Sequence, residues 1–221
     1  MKDQLFDIVS VLAVIAYFLP ITIVLINRLW KHTPFLLFAS YWALSGVVNL
    51  LDFIPGITIE FRNTLGALYN MIDIPFMLCI FYFTCSSEWL RQFSKYSCIS
   101  FILVESVNAY YNGINYEAIK YVVGIGVLLV LFIIISEIIY YVRKLEHSAM
   151  EKALLFIYSA LLFEYGTYVI IYIFEYFIKG SSVIDNLLIY YISSLVAIVI
   201  ACFGFIIKQK KAGFRRYYRS Y

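Results

Sequence analysis

The feature that most constrains this chain is the spacing of its charges. Seven apolar stretches, at 5–29, 34–53, 65–85, 97–111, 119–142, 153–178 and 187–207, are separated only by short turns that carry nearly all the Lys and Arg. A bilayer core about 30 Å thick needs roughly 20 apolar residues per helical crossing. Most of these stretches meet that length, and the fourth is the shortest and most polar. Composition closes off other solutions. With 63% hydrophobic and 14% charged residues over 221 positions, the apolar surface exceeds what one soluble core hides. A soluble globular domain, a disordered chain and a secreted disulfide scaffold are therefore excluded.

The spacing predicts an all-α integral membrane protein, a seven-transmembrane-helix bundle over residues 1–207 followed by a basic, aromatic tail at 208–221. Thirteen of the 17 Lys and Arg fall in the turns after the first, third, fifth and seventh stretches and in the tail. Lys2, Arg62, Lys120 and Lys179 fall on the other side. The positive-inside rule then places the N-terminus outside and the C-terminus in the cytoplasm, and the cell (inner) membrane is the expected location. The first stretch is too long for a cleavable signal peptide and lacks a small-residue cleavage site. Cys79, Cys85, Cys98 and Cys202 fall toward the reducing side without ligand-like spacing, and are expected as buried small apolar residues.

The chemically informative residues are acids that a bilayer excludes: Asp52, Asp73, Glu105, Glu137 and Glu164, with Asp7 and Glu175 nearer the outer boundary. No Lys or Arg is expected at comparable depth. A carboxylate at the bilayer centre costs roughly 2.5–3.5 kcal/mol on insertion scales, so these groups must face the bundle interior or a wet cavity. Asn49 with Asp52, Asn70 with Asp73, and Glu105 with Asn108 are each three residues apart, which sets each pair on one helix face. Three consecutive helices thus offer an Asn and an acid toward the outer half, a set suited to a proton, a cation or a small amine. Glu164 extends the acids to mid-membrane, and Glu137 in the inner half could extend them into a relay. Tyr165, Tyr168 and Tyr172 could line a ligand pocket. The plainer alternative for each acid is interhelical glue, worth about 0.6 kcal/mol on average.

Other chemistries find no support in the residues. His32 and His147 both lie in turns, so there is no HExxH, no three-His zinc site and no Ser-His-Asp set within the membrane. The N-outside seven-helix plan with Asp73 in the third span resembles the microbial rhodopsins in outline. The seventh span has no Lys for a retinal Schiff base, however, which excludes a covalent retinal pigment. No metal or cofactor is called for. Ser193, Ala197 and Ala201, four residues apart, predict close helix packing, and Pro20 and Pro75 predict kinks. Lys208, Lys210, Lys211, Arg215, Arg216 and Arg219 suit anionic headgroups, or a cytoplasmic partner, rather than nucleic acid.

The leading expectation is a non-enzymatic membrane protein that binds a proton, cation or small amine in an outward-facing acidic pocket, as transporter or sensor. Two alternatives stand beside it: an intramembrane lipid hydrolase using paired carboxylates, and a structural or assembly subunit.

Overall fold

The structure, a computed structural model, describes residues 2–114, 116–176 and 183–207. The basic tail with Lys208, Lys210, Lys211, Arg215, Arg216 and Arg219, and Lys179 in the last turn, lie outside the described residues, as do the side chains of Asp52 and Glu175. The described chain is helical: α1 (Lys2–Tyr17), α2 (Leu19–Ile26), α3 (Thr33–Leu50), α4 (Ile59–Thr84), α5 (Glu88–Asn112), α6 (Tyr116–Val142), α7 (Ala149–Tyr176) and α8 (Val183–Ile206).

Six helical segments among the described residues are long and apolar enough to cross a membrane, with α1 and α2 together counting as one. This is an all-α integral-membrane type of fold. The exception to the seven expected crossings is α5, the helix built on the fourth stretch. Its 25 residues are long enough, but Glu88, Arg91, Lys95, Glu105 and its Ser and Asn residues hold its hydropathy below that of a self-evident span.

Local chemistry explains the ends. The first apolar stretch breaks at Phe18, and Pro20 sits in the first turn of α2, where its missing N–H removes no helical bond. Pro75, by contrast, stays inside α4, and its carbonyl accepts from the Cys98 Sγ of α5 at 3.4 Å. Thr58 caps α4 by accepting from the Phe61 N–H at 3.3 Å. A capping box starts α7: Ser148 N–H donates to Glu151 Oε2 at 2.9 Å and Glu151 N–H to Ser148 Oγ at 3.2 Å. Lys144 Nζ reaches the other oxygen of Glu151 at 2.6 Å, tying the α6–α7 turn.

Helices α3, α4, α6, α7, α8 and α1 form a closed ring in that order, each packed on the next and α1 back on α3. Helix α5 stands outside it, packed on α4 and α6. The seam between α7 and α8 is close because α8 presents small residues. Ser193, Ala197 and Ala201 are buried, and a Cβ on Gly204 would stand 2.6 Å from the backbone oxygen of Ala153. Of the four cysteines only Cys85 is buried, and Cys79 is exposed on the outer face of α4. The expectation of four buried cysteines is corrected: Cys98 on α5 and Cys202 on α8 are half-buried, and Cys79 lies on the face of α4 turned away from the ring.

Candidate functional site

The ring encloses a cavity of about 550 Å³, within the range of small-molecule sites. It is open toward the end of the bundle that holds the α3–α4 turn, where Ile59 and Asn63 are exposed. Five helices build its wall. Helix α3 supplies Tyr41, Ser45 and Asn49 at four-residue spacing, and α4 supplies Arg62, Gly66, Tyr69, Asn70 and Asp73. Val123 and Val127 come from α6, Glu164, Tyr165 and Tyr168 from α7, and Asn186, Tyr190 and Tyr191 from α8. The regular spacings on α3 and α4 keep the polar residues of each helix on one face.

At the deep end Asp73 is held on both oxygens. Tyr69 OH donates to Oδ1 at 3.1 Å and Tyr165 OH to Oδ2 at 2.9 Å. Tyr41 OH donates in turn to Tyr165 OH at 3.1 Å, and Ser45 Oγ lies 2.7 Å from Tyr69 OH. Glu164, on α7, is buried and accepts from the Trp42 indole Nε1–H at 3.0 Å. Around the rim, Asn49 Nδ2 donates to the Ser45 carbonyl at 2.8 Å, and Tyr191 OH donates to Asn49 Oδ1 at 3.4 Å. Two carboxyls thus line one cavity among hydroxyls and aromatic rings. Phenol donors fix the orientation of Asp73 and the indole donor that of Glu164, and the remaining lone pairs and ring faces suit a cation.

Below the acids the interior closes. Phe38, Trp42, Met77, Leu78, Phe81 and Tyr158 are all fully buried. Phe38 and Phe81 both pack on the Tyr158 ring, at 5.6 and 6.0 Å between centroids, and Trp42 packs edge-on against Phe205. Glu137 lies beyond this plug, fully buried, with Oε1 accepting the Ser86 N–H at 3.0 Å where the chain turns into α5. A carboxylate there complements the N-terminal end of α5. Ser86 Oγ donates to Tyr141 OH at 2.8 Å, and Thr84 Oγ1 lies 3.2 Å from Tyr158 OH. Glu137 is therefore built into a turn and separated from the cavity by packed rings.

Of the expected site residues, the structure gathers Asn49, Asn70, Asp73 and Glu164 around one cavity. Glu105 and Asn108 are not among them. Because α5 packs outside the ring, its polar face meets the outer side of α4 and α6. There Glu105 is buried and Asn108 Nδ2 donates to the Ala118 carbonyl at 2.9 Å. Tyr165 and Tyr168 line the cavity as expected, whereas Tyr172 turns toward α6 and donates to the Lys120 carbonyl at 2.7 Å. Tyr41, Tyr69, Tyr190, Tyr191 and the Trp42 donor also belong to the site and are not among the residues singled out from the sequence. Tyr41, Ser45 and Asn49 repeat every four residues, and Tyr69 precedes Asp73 by one turn, so that spacing was the available signal.

No protein-family model matches this chain, and neither a curated protein nor a solved structure is similar to it.

Proposed function

We propose that this protein binds a small organic cation, a primary or secondary amine, in the cavity between α3, α4, α7 and α8. The observation that carries the reading is the pair of carboxyls Asp73 and Glu164, held by Tyr69, Tyr165 and Trp42 in a cavity lined by further tyrosines. An ammonium there donates a charge-assisted hydrogen bond to a carboxylate and lies against aromatic faces, two contacts that reinforce one another where water is scarce.

In this reading α5 supplies a seventh crossing. Its length spans about 37 Å at 1.5 Å per residue. Its outward face shows Ile99, Leu103 and Val107 to lipid, while Glu105 is turned inward. The distribution of Lys and Arg then supports an orientation with the N-terminus and the cavity mouth outside. The aromatic plug supports a receptor that holds its ligand rather than a continuous path to Glu137, which is why binding, and not flux, is the primary assay.

The test is calorimetric titration of the full chain in nanodiscs with propylamine and benzylamine. Binding should weaken at least about tenfold, or 1.4 kcal/mol, in Asp73→Asn, with the variant still folded by its melting profile. Equal binding by folded Asp73→Asn and Glu164→Gln removes the carboxyls from the site and overturns the reading.

A further inference from the structure

The cavity has a second charge that amine binding leaves unused. Arg62 lines its mouth from the first turns of α4. Among the described residues, its Nε is buried without a hydrogen-bond partner, its one side-chain hydrogen bond is a long 3.4 Å contact from Nη2 to the Ile54 carbonyl, and no carboxylate pairs with it. A guanidinium on a cavity wall with an unused donor suits a carboxylate or phosphate. Two features strengthen that preference. The N-terminus of α4, with its own partial positive charge, points to the same mouth. Arg62 also stands on the α4 face of Gly66, Tyr69 and Asp73, since eleven residues come close to three whole turns.

Those eleven residues set a length. At 1.5 Å per residue Arg62 and Asp73 are separated by about 16 Å along α4, and a salt-bridging contact at each end takes up nearly 3 Å. We propose that the ligand is a linear zwitterion, a short peptide of about three residues, whose ammonium meets Asp73 and Glu164 and whose carboxylate meets Arg62. An extended tripeptide, at roughly 3.3–3.6 Å per residue, spans the remaining distance of about 10 Å. Tyr168, Tyr190 and Tyr191, with Asn49 and Asn186, line the wall between the two charges and offer rings and amides to the peptide backbone and side chains. A molecule with the ammonium alone fills only the deep half. This inference rests on the amine reading above and adds the anionic end.

The test separates the two. Full-length protein in nanodiscs is titrated with trialanine, trialanine amide, N-acetyltrialanine and propylamine. Trialanine should bind at least about tenfold more tightly than its amide. Arg62→Gln should cost trialanine about that factor and leave the amide and propylamine unchanged, while Asp73→Asn weakens all three. The ligand series on the unaltered protein decides the matter even if Arg62→Gln folds poorly. If trialanine and its amide bind alike while propylamine still depends on Asp73, the zwitterion inference fails and amine binding survives. If neither propylamine nor any peptide binds, both fail together.

Discussion

Replacing Trp42 by Phe tests whether the carboxyls are held as described. Trp42 is fully buried, its indole N–H donates to Glu164 at 3.0 Å, and its ring packs against Phe205 and Tyr41. Phe keeps most of those ring contacts and removes the donor. Losing a hydrogen bond to a buried carboxyl costs about 1.5–3 kcal/mol. The space vacated by the larger indole adds on the order of 1 kcal/mol at about 24 cal/mol per Å³ of residual cavity. The expected total is about 3 kcal/mol, measured by detergent-driven unfolding in mixed micelles. Glu164→Gln retains an oxygen acceptor and should cost less than about 1 kcal/mol. In a Glu164→Leu background, where no acceptor remains, Trp42→Phe should be cheaper than in the wild-type background, with a coupling of about 1–2 kcal/mol. A loss below about 1 kcal/mol for Trp42→Phe, or a cycle without coupling, would refute the bond and with it the fixed position of Glu164.

Gly204→Leu should destabilise the α7–α8 seam by about 1–3 kcal/mol, because the new Cβ meets the Ala153 backbone oxygen and not a movable side chain. Gly166→Ala, where nothing lies within 4 Å, should instead be neutral or gain up to about 1 kcal/mol in the same unfolding assay. Partial burial holds the His32 imidazole below its ordinary value of 6.5, so the unfolded chain binds that proton more readily. Stability should be full above about pH 6.5 and decline as the pH falls from there through the lowered folded value, a slope that His32→Phe flattens. In a variant with the exposed Cys79 replaced, a thiol at Asn63 should react with an impermeant reagent added to intact cells and one at Lys95 should not. Reaction at Lys95 would reverse the proposed orientation.

Helical class and membrane character were legible because charge spacing and helix length are one-dimensional properties. Ring closure was not. The paired spacings of Asn70 with Asp73 and Glu105 with Asn108 look alike in sequence, yet the first pair reaches the cavity and the second does not, because α4 contacts α6 directly and leaves α5 outside. Nothing within α5 encodes that exclusion; it follows from how α3, α4 and α6 pack. Glu137 illustrates the same limit. Its depth suggested a relay, whereas its use as a partner for the Ser86 N–H depends on a turn fifty-one residues earlier in the chain. Tyr69, one turn before Asp73, was readable as a donor, while Tyr165, ninety-two residues away, was tied to Asp73 only by the fold.

The measurement that bears most directly on the central claim is a structure of the protein with 4-bromobenzylamine, located by the anomalous signal of bromine. The account predicts one ordered molecule inside the ring, its ammonium about 3 Å from a carboxylate oxygen of Asp73 or Glu164 and its aryl group among Tyr165, Tyr168 and Tyr190. Bromine found only in the apolar groove between α5 and α6, beside Trp89 and Phe93, with the cavity vacant at saturating amine, would contradict it.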